Sequence, residues 1–216
     1  MTIKSGFFSY YDIFGVLAPG TVFLAALLLL FGDLESARLI EGVSVGGLGV
    51  LAILGYAAGH LVQAVGNVLE KLYWRPWGGM PSDWVRTGKH GRLPFSEAQM
   101  EKLREVCSSK LGLSIEGSIQ ELSAEEWDGI TSQIKAAIKA EERAGRVSTF
   151  NSKYGFHRGL TASLLMVAPA ALLTNRIWIG VASVLCVLVT GYRMHRFARH
   201  YARELFVQAL QLANKE

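Results

Sequence analysis

The sequence predicts an all-α membrane protein with about four transmembrane helices, the last two either full spans or a shallow hairpin, and a small helical cytoplasmic region. Three observations predict it. Apolar residues gather in long uncharged runs; a polar middle separates the runs into two pairs; and that middle carries helix-start signatures followed by apolar residues at helical spacing. Half of the residues are hydrophobic, only 19% are charged, and the mean hydropathy is +0.27, which is high for a soluble domain. The runs divide the chain into residues 1–72 with the first two spans, a cytoplasmic helical region at 73–153, two further spans at 154–192, and a basic cytoplasmic helix at 193–216.

The first span runs from Ile13 to Phe31 without a charge. As helix it reaches about 28 Å, close to the ~30 Å hydrocarbon core. It is too long for a typical signal-peptide core, and Gly32-Asp33-Leu34-Glu35 offers no small-x-small cleavage site, so it reads as a retained anchor. Pro19-Gly20 lies inside it. Proline removes one helical hydrogen bond, so these residues mark either a tolerated kink or the end of a separate N-terminal helix over Ser9–Ala18. An acidic loop at 32–42 follows, with Asp33, Glu35 and Glu41 against Arg38; the second span then runs from Val45 to Leu69.

Trp74, Trp77 and Trp84 come directly after the second span, a position suited to the headgroup level, and Pro76, Gly78, Gly79, Pro81 and Gly91 read as loop. Ser96 with Gln99 and Ser123 with Glu126 form capping-box signatures. Met100, Leu103 and Cys107 follow the first; Trp127, Ile130, Ile134 and Ile138 make a clear apolar stripe after the second. The second apolar region has two halves, Leu160–Leu173 and Ile177–Tyr192, separated by Thr174-Asn175-Arg176. Each half is short for a span at roughly 22–24 Å; Tyr154, Phe156, His157 and Arg158 extend the first by snorkelling, or the pair is re-entrant.

The tail after Tyr192 carries Arg193, Arg196, Arg199, Arg203 and Lys215 against Glu204 and Glu216, and Lys4 precedes the first span. The positive-inside rule then puts both termini and the middle region in the cytoplasm.

Within the second span Tyr56, His60, Gln63, Asn67 and Glu70 recur every three or four residues and share one helix face. Polar side chains in hydrocarbon are costly without partners or water. This stripe is therefore either interhelical hydrogen-bonding glue or the lining of a pore. Gly55, Gly59 and Gly66 on nearly the same side permit close helix packing. On the C-terminal helix Arg193, Arg196, His200 and Arg203 share a face, with Arg199 beside it, while Phe197, Tyr201, Leu205 and Leu212 lie mainly on another. The basic face suits anionic lipid headgroups or the phosphates of a nucleotide or nucleic acid; with no aromatic platform beside it, base recognition is not indicated.

Catalytic chemistry is not indicated. No GxSxG, Walker A, HExxH or dinucleotide fingerprint occurs, no carboxylate pair is placed for acid–base work, and Lys89-His90-Gly91-Arg92 reads as a lipid- or partner-facing turn. Five scattered histidines and two cysteines, Cys107 and Cys186, make neither a metal site nor a disulfide framework, and no cofactor is expected.

Three segments carry a family resemblance: Tyr11-Asp12-Ile13-Phe14-Gly15-Val16-Leu17-Ala18-Pro19-Gly20, then Gly59-His60-Leu61-Val62-Gln63, then Phe150-Asn151 through Tyr154-Gly155-Phe156 to Arg158. They resemble small bacterial membrane proteins of anti-phage defence loci, and among these the chain is similar to the membrane effector of the Hailong system. The resemblance implies a homo-oligomer, a tetramer, that disrupts the inner membrane of an infected cell. It implies a partner nucleotidyltransferase whose nucleotide or short DNA product holds the effector inactive. The function expected is thus an oligomeric gated channel or pore; the alternative is a non-conducting anchor or scaffold that recruits a cytoplasmic partner.

Overall fold

The computed structural model describes residues 10–32, 45–88, 95–115 and 117–212. The described residues are helical, without strands, and four of the helices are long and apolar enough to cross a membrane: Asp12–Phe31, Gly46–Trp77, Gly145–Leu173 and Ile177–Leu212. The acidic loop at 32–42 beyond Gly32, Lys4, and the basic turn at 89–92 lie outside the described residues. The chain divides into two compact units, Met1–Glu70 with Asn151–Arg196, and Lys71–Phe150 with Phe197–Glu216.

In the first unit a π-helical turn, Asp12–Leu17, leads into α1 (Ala18–Phe31) with Pro19 in its first turn. Neither a broken helix nor a separate N-terminal one results: the change of winding carries the chain past proline. Helix α2 (Val45–Trp74) crosses this element at glycine. A Cβ on Gly20 would lie 2.6 Å from the Cα of Gly59, and a Cβ on Gly55 would lie 2.5 Å from Thr21 Oγ1. Backbones pack directly there, which is what small residues allow between membrane helices.

Two longer helices, labelled here α6 (Gly145–Leu173) and α7 (Ile177–Leu212), follow the three short ones of the second unit. The turn between them falls at Thr174-Asn175-Arg176, with Asn175 in the left-handed region at φ 57° and the Arg176 N–H donating to the Ala171 carbonyl at 2.8 Å. Both helices extend beyond their apolar halves, and each is long and apolar enough to cross a membrane. Leu30 of α1 packs with Val167 and Ala171 of α6, and the Thr161 and Thr190 hydroxyls join α6 to α7 at 2.9 Å. Outward faces stay apolar: Ile53, Leu61, Leu188 and Trp178 are exposed by 70, 70, 66 and 85%. Exposed apolar faces of this extent fit a lipid environment.

The second unit follows the logic of a water-soluble domain. After a 3-10 turn (Arg75–Trp77) come α3 (Asp83–Thr87), α4 (Glu97–Leu111) and α5 (Ala124–Ala140). Both capping boxes form: Ser96 N–H donates to Gln99 Oε1 at 2.9 Å, and Ser123 N–H to Glu126 Oε2 at 2.8 Å. Trp127, Ile130, Ile134 and Ile138 are the buried face of α5. They pack with Leu103, Val106 and Cys107 of α4 and with Leu205, Phe206, Ala209 and Leu212 of α7. The Trp127 and Phe206 rings stack at 5.5 Å.

Two expectations change here. Trp74 and Trp84 are buried and meet edge-to-face at 6.0 Å; they are core residues rather than headgroup anchors, and burial of Trp84 is compatible with its polar edge because its Nε1 donates to the carbonyls of Trp77 and Gly79 in the turn. The C-terminal basic segment is no separate helix but the continuation of the last span, and its apolar side completes the core.

Burial pushes the Cys107 thiol up to about 11, so it stays protonated at neutral pH and is shielded in the folded unit. With Cys186 replaced by serine, maleimide labelling of Cys107 is expected only as denaturant unfolds this unit. Phe206→Ala removes a fully buried ring and is expected to lower stability by about 3–5 kcal/mol, shifting the labelling midpoint to lower denaturant.

Candidate functional site

The polar stripe of α2 divides. At about 100° per residue its five members cover an arc of about 80°, in the order His60, Asn67, Tyr56, Gln63, Glu70, with Gly59, Gly66 and Gly55 continuing on the Glu70 side. The edge of the helix contact falls within this arc. Gln63 is buried and Glu70 partly so, whereas His60 and Asn67 are exposed and Tyr56 half-buried, its ring edge-on to His60 at 4.6 Å. The stripe is therefore two features, an inner pair and an outer pair, because its width exceeds what one neighbouring helix covers.

The inner pair belongs to a node centred on Arg158 of α6. Arg158 Nη1 donates to the Glu70 carboxylate in a close ion pair. Nη2 and Nε both donate to Gln63 Oε1, at 2.6 and 3.1 Å, and Nη2 also reaches the Tyr11 hydroxyl at 3.2 Å. The guanidinium carbon stands 5.7 Å from the Tyr154 ring centre. The Gln63 amide nitrogen in turn donates to the Gly15 carbonyl and, at 3.1 Å, to the Gly155 carbonyl.

Glycines make room for this arrangement. A Cβ on Gly155 would sit 2.6 Å from the Tyr11 ring, and one on Gly159 would sit 2.7 Å from Pro19 and 2.8 Å from Gln63 Nε2. Gly66 leaves space for the Arg158 stem, 3.4 Å from where its Cβ would be. Beside the node, Ser163 Oγ donates to the Pro19 carbonyl at 3.1 Å.

Tyr11, Gly15 and Pro19 come from the first of the three motif segments, Gln63 from the second, and Tyr154, Gly155 and Arg158 from the third. Segments far apart in sequence thus meet in one cluster. Sequence reasoning gave Arg158 only a snorkelling role. The signal that could have found its partner was the opposite charge at the end of the second span, since Glu70 and Arg158 each stand at the polar edge of an apolar run. The node is an anchor of partly buried charge, the Arg158–Glu70 ion pair, with Gln63 and Tyr11 as neutral acceptors beside it.

The basic residues of α7 are placed differently. Arg193 and Arg196 belong to the first unit and are exposed; Arg199 and Arg203 belong to the second and are exposed, with His200 half-buried beside them. An aromatic neighbour does exist in the second unit: Phe150 stacks on His200 at 5.4 Å, with Phe197 6.5 Å away. On the same side Arg146 pairs with the buried Glu204 at 3.4 Å. Sequence spacing missed this platform because Phe150 arrives from another helix.

Comparison with protein-family models, curated proteins and solved structures returned no match.

Arg158→Ala leaves the Glu70 carboxylate without its partner and is expected to cost about 3–5 kcal/mol, read as a lower midpoint of thermal unfolding in detergent. Exchanging the charges, Glu70→Arg with Arg158→Glu, is expected to recover part of the loss. An unchanged midpoint in Arg158→Ala would show that the pair does not hold the fold.

Proposed function

We propose that this chain is a membrane effector of bacterial anti-phage defence, a homo-oligomer forming a gated channel or pore through the inner membrane, with both termini cytoplasmic. A nucleotide or short DNA made by a partner nucleotidyltransferase holds it inactive, and it acts without catalysing a reaction. The observation that carries the conducting reading is the outer edge of α2. His60 and Asn67 are exposed about two helical turns apart, with Ala57 and Ala64 exposed beside them. An imidazole and an amide facing hydrocarbon are costly, and small neighbours let another helix approach closely. A second copy of the chain or a water-filled path answers both, and an oligomer around a path answers them together.

The defence setting and the ligand rest on the motif resemblance. The four exposed arginines of α7 fit that ligand class in part. Along the helix, Arg193 and Arg196 lie within about 6 Å of the last apolar residue, inside a headgroup layer, while Arg199 and Arg203 lie about 10–16 Å beyond it, where a soluble phosphate is the more accessible anion. The Phe150–His200 stack supplies a flat partner for a base.

Expression without a partner is expected to depolarise the cells, read with a potential-sensitive dye. His60→Leu with Asn67→Leu is expected to abolish that depolarisation while the protein stays in the membrane fraction. An unchanged potential on strong expression of the natural chain, together with capture of a soluble partner, would replace this reading with the non-conducting scaffold.

A further inference from the structure

The apolar surface of the first unit does not end at one level. Contacts between its helices fix the register. The Thr161 and Thr190 hydroxyls meet at 2.9 Å, and α6 and α7 run in opposite directions from the turn they share. Arg158, one turn before Thr161, therefore stands level with Arg193, one turn after Thr190. The Gln63 amide nitrogen bridges the carbonyls of Gly15 and Gly155, and a Cβ on Gly159 would sit 2.7 Å from Pro19. Residues 15 and 19 thus lie beside 155 and 159, and Ala18 stands level with Arg158 and Arg193.

Away from the Thr174–Arg176 turn, past that level, the elements differ. In the π-helical turn Phe14 and Ile13 are exposed by 47 and 42%, and the first charge met is Asp12, about 7–9 Å beyond Ala18. On α2, Val68 is exposed by 60%, and no formal charge precedes Glu70, about 10 Å beyond Gln63. On α7, by contrast, Arg193 and Arg196 are exposed at this level and one turn past it. The exposed apolar face of α7, Ile177 to Tyr192, covers only about 22 Å, whereas Leu48 to Val68 on α2 covers about 30 Å.

Two ordinary adjustments do not remove this step. A tilt of about 20° shortens the α2 stretch by only about 2 Å. Snorkelling is hampered at Arg193, because side chains on a helix lean toward its N-terminus, and on α7 that is into the apolar band. A difference of several ångströms is left for the lipid to absorb. The outward residues of α7 are large and aliphatic, Val181, Val184, Leu185, Leu188 and Val189, which suits acyl chains, and the arginines that bound them complement lipid phosphate.

We propose that the α7 face of the first unit holds a locally thinned bilayer, with anionic phospholipid drawn in so that its phosphates meet Arg193 and Arg196. The occupant of this face is lipid, and the site works whether or not the chain conducts.

The test uses the full chain carrying a donor dye at Cys186, which is exposed on α7 while Cys107 is buried. The labelled protein is placed in dioleoyl phosphatidylcholine vesicles with acceptor-tagged phosphatidylglycerol tracers bearing either myristoleoyl or erucoyl chains. Energy transfer is expected to show the short-chain tracer enriched around Cys186 by about two- to threefold over the long-chain one, as a modest mismatch energy implies. Arg193→Leu with Arg196→Leu lengthens the apolar band by about 6 Å and is expected to remove that preference.

Should this variant not insert, Arg193→Gln with Arg196→Gln takes its place. It is expected to erase the advantage of a short-chain phosphatidylglycerol tracer over phosphatidylcholine with the same chains. Equal enrichment of the short and long tracers around the natural chain overturns the proposal, and so does a preference that the substitutions leave unaltered. Transfer between donor- and acceptor-labelled copies, with both tracers kept away from Cys186, also overturns it and gives the face to a second copy of the chain.

Discussion

A guanidinium inside an apolar helical assembly must be surrounded by acceptors, and much of the first unit is arranged to meet that demand. Arg158 is the donor, and Glu70, Gln63 and Tyr11 accept from it. The glycines at 66, 155 and 159 are explained by the same demand, since side chains there would press on Arg158, Tyr11 or Gln63. Even proline at 19 has a place in it: it has no N–H for the Gly15 carbonyl, which accepts from the glutamine that also serves the arginine. Polar groups in hydrocarbon are tolerated when they satisfy one another, and here they do so across three helices.

The two units solve the problem of burial in different solvents. The first exposes leucine, isoleucine and valine outward and packs Gly20, Gly55, Gly59 and the Gln63–Arg158 cluster inside, with His60 and Asn67 left on its outer edge. The second turns tryptophan, isoleucine and phenylalanine inward, caps its helices with serine, and leaves most of its charges on the surface, Glu204 being buried beside Arg146. Asp83 shows the cost of the second arrangement. Its carboxylate accepts the Met80 N–H, yet burial raises its pKa above the ordinary value. The raised value means that this group favours the folded unit less once pH exceeds its titration range, and that the penalty fades as pH falls through it.

Much of the fold was legible because its signals are local. Uncharged runs gave the four spans, Thr174-Asn175-Arg176 gave the turn between the last two, and serine three residues before glutamine or glutamate gave the starts of α4 and α5. The Trp127–Ile138 stripe was legible for the same reason. What escaped depends on partners distant in sequence. Periodicity put five polar residues on one face of α2 but could not say where a neighbouring helix would end its contact, and that edge separates Gln63 from His60. Tryptophans just past a span have the composition of an interfacial belt whether they meet lipid or one another, and Trp74 and Trp84 meet one another. Arg158 and Glu70 are 88 residues apart; each stands as a charge at the polar edge of an apolar run, but opposite sign alone does not pick one partner among several.

The buried positions of Trp74, Trp84 and Trp127, set against the 85% exposure of Trp178 on the last long helix, with Trp77 half-buried between these extremes, set apart two optical populations among the five indoles of this chain. The first group reports the interior of a folded domain through blue-shifted emission that quenchers carried on lipid tails do not reach. The other lies open at the start of a helix long and apolar enough to cross a membrane, where such quenchers are expected to reach it. Spectroscopy on a single unlabelled sample can therefore follow insertion of the last hairpin and folding of the second unit as separate events.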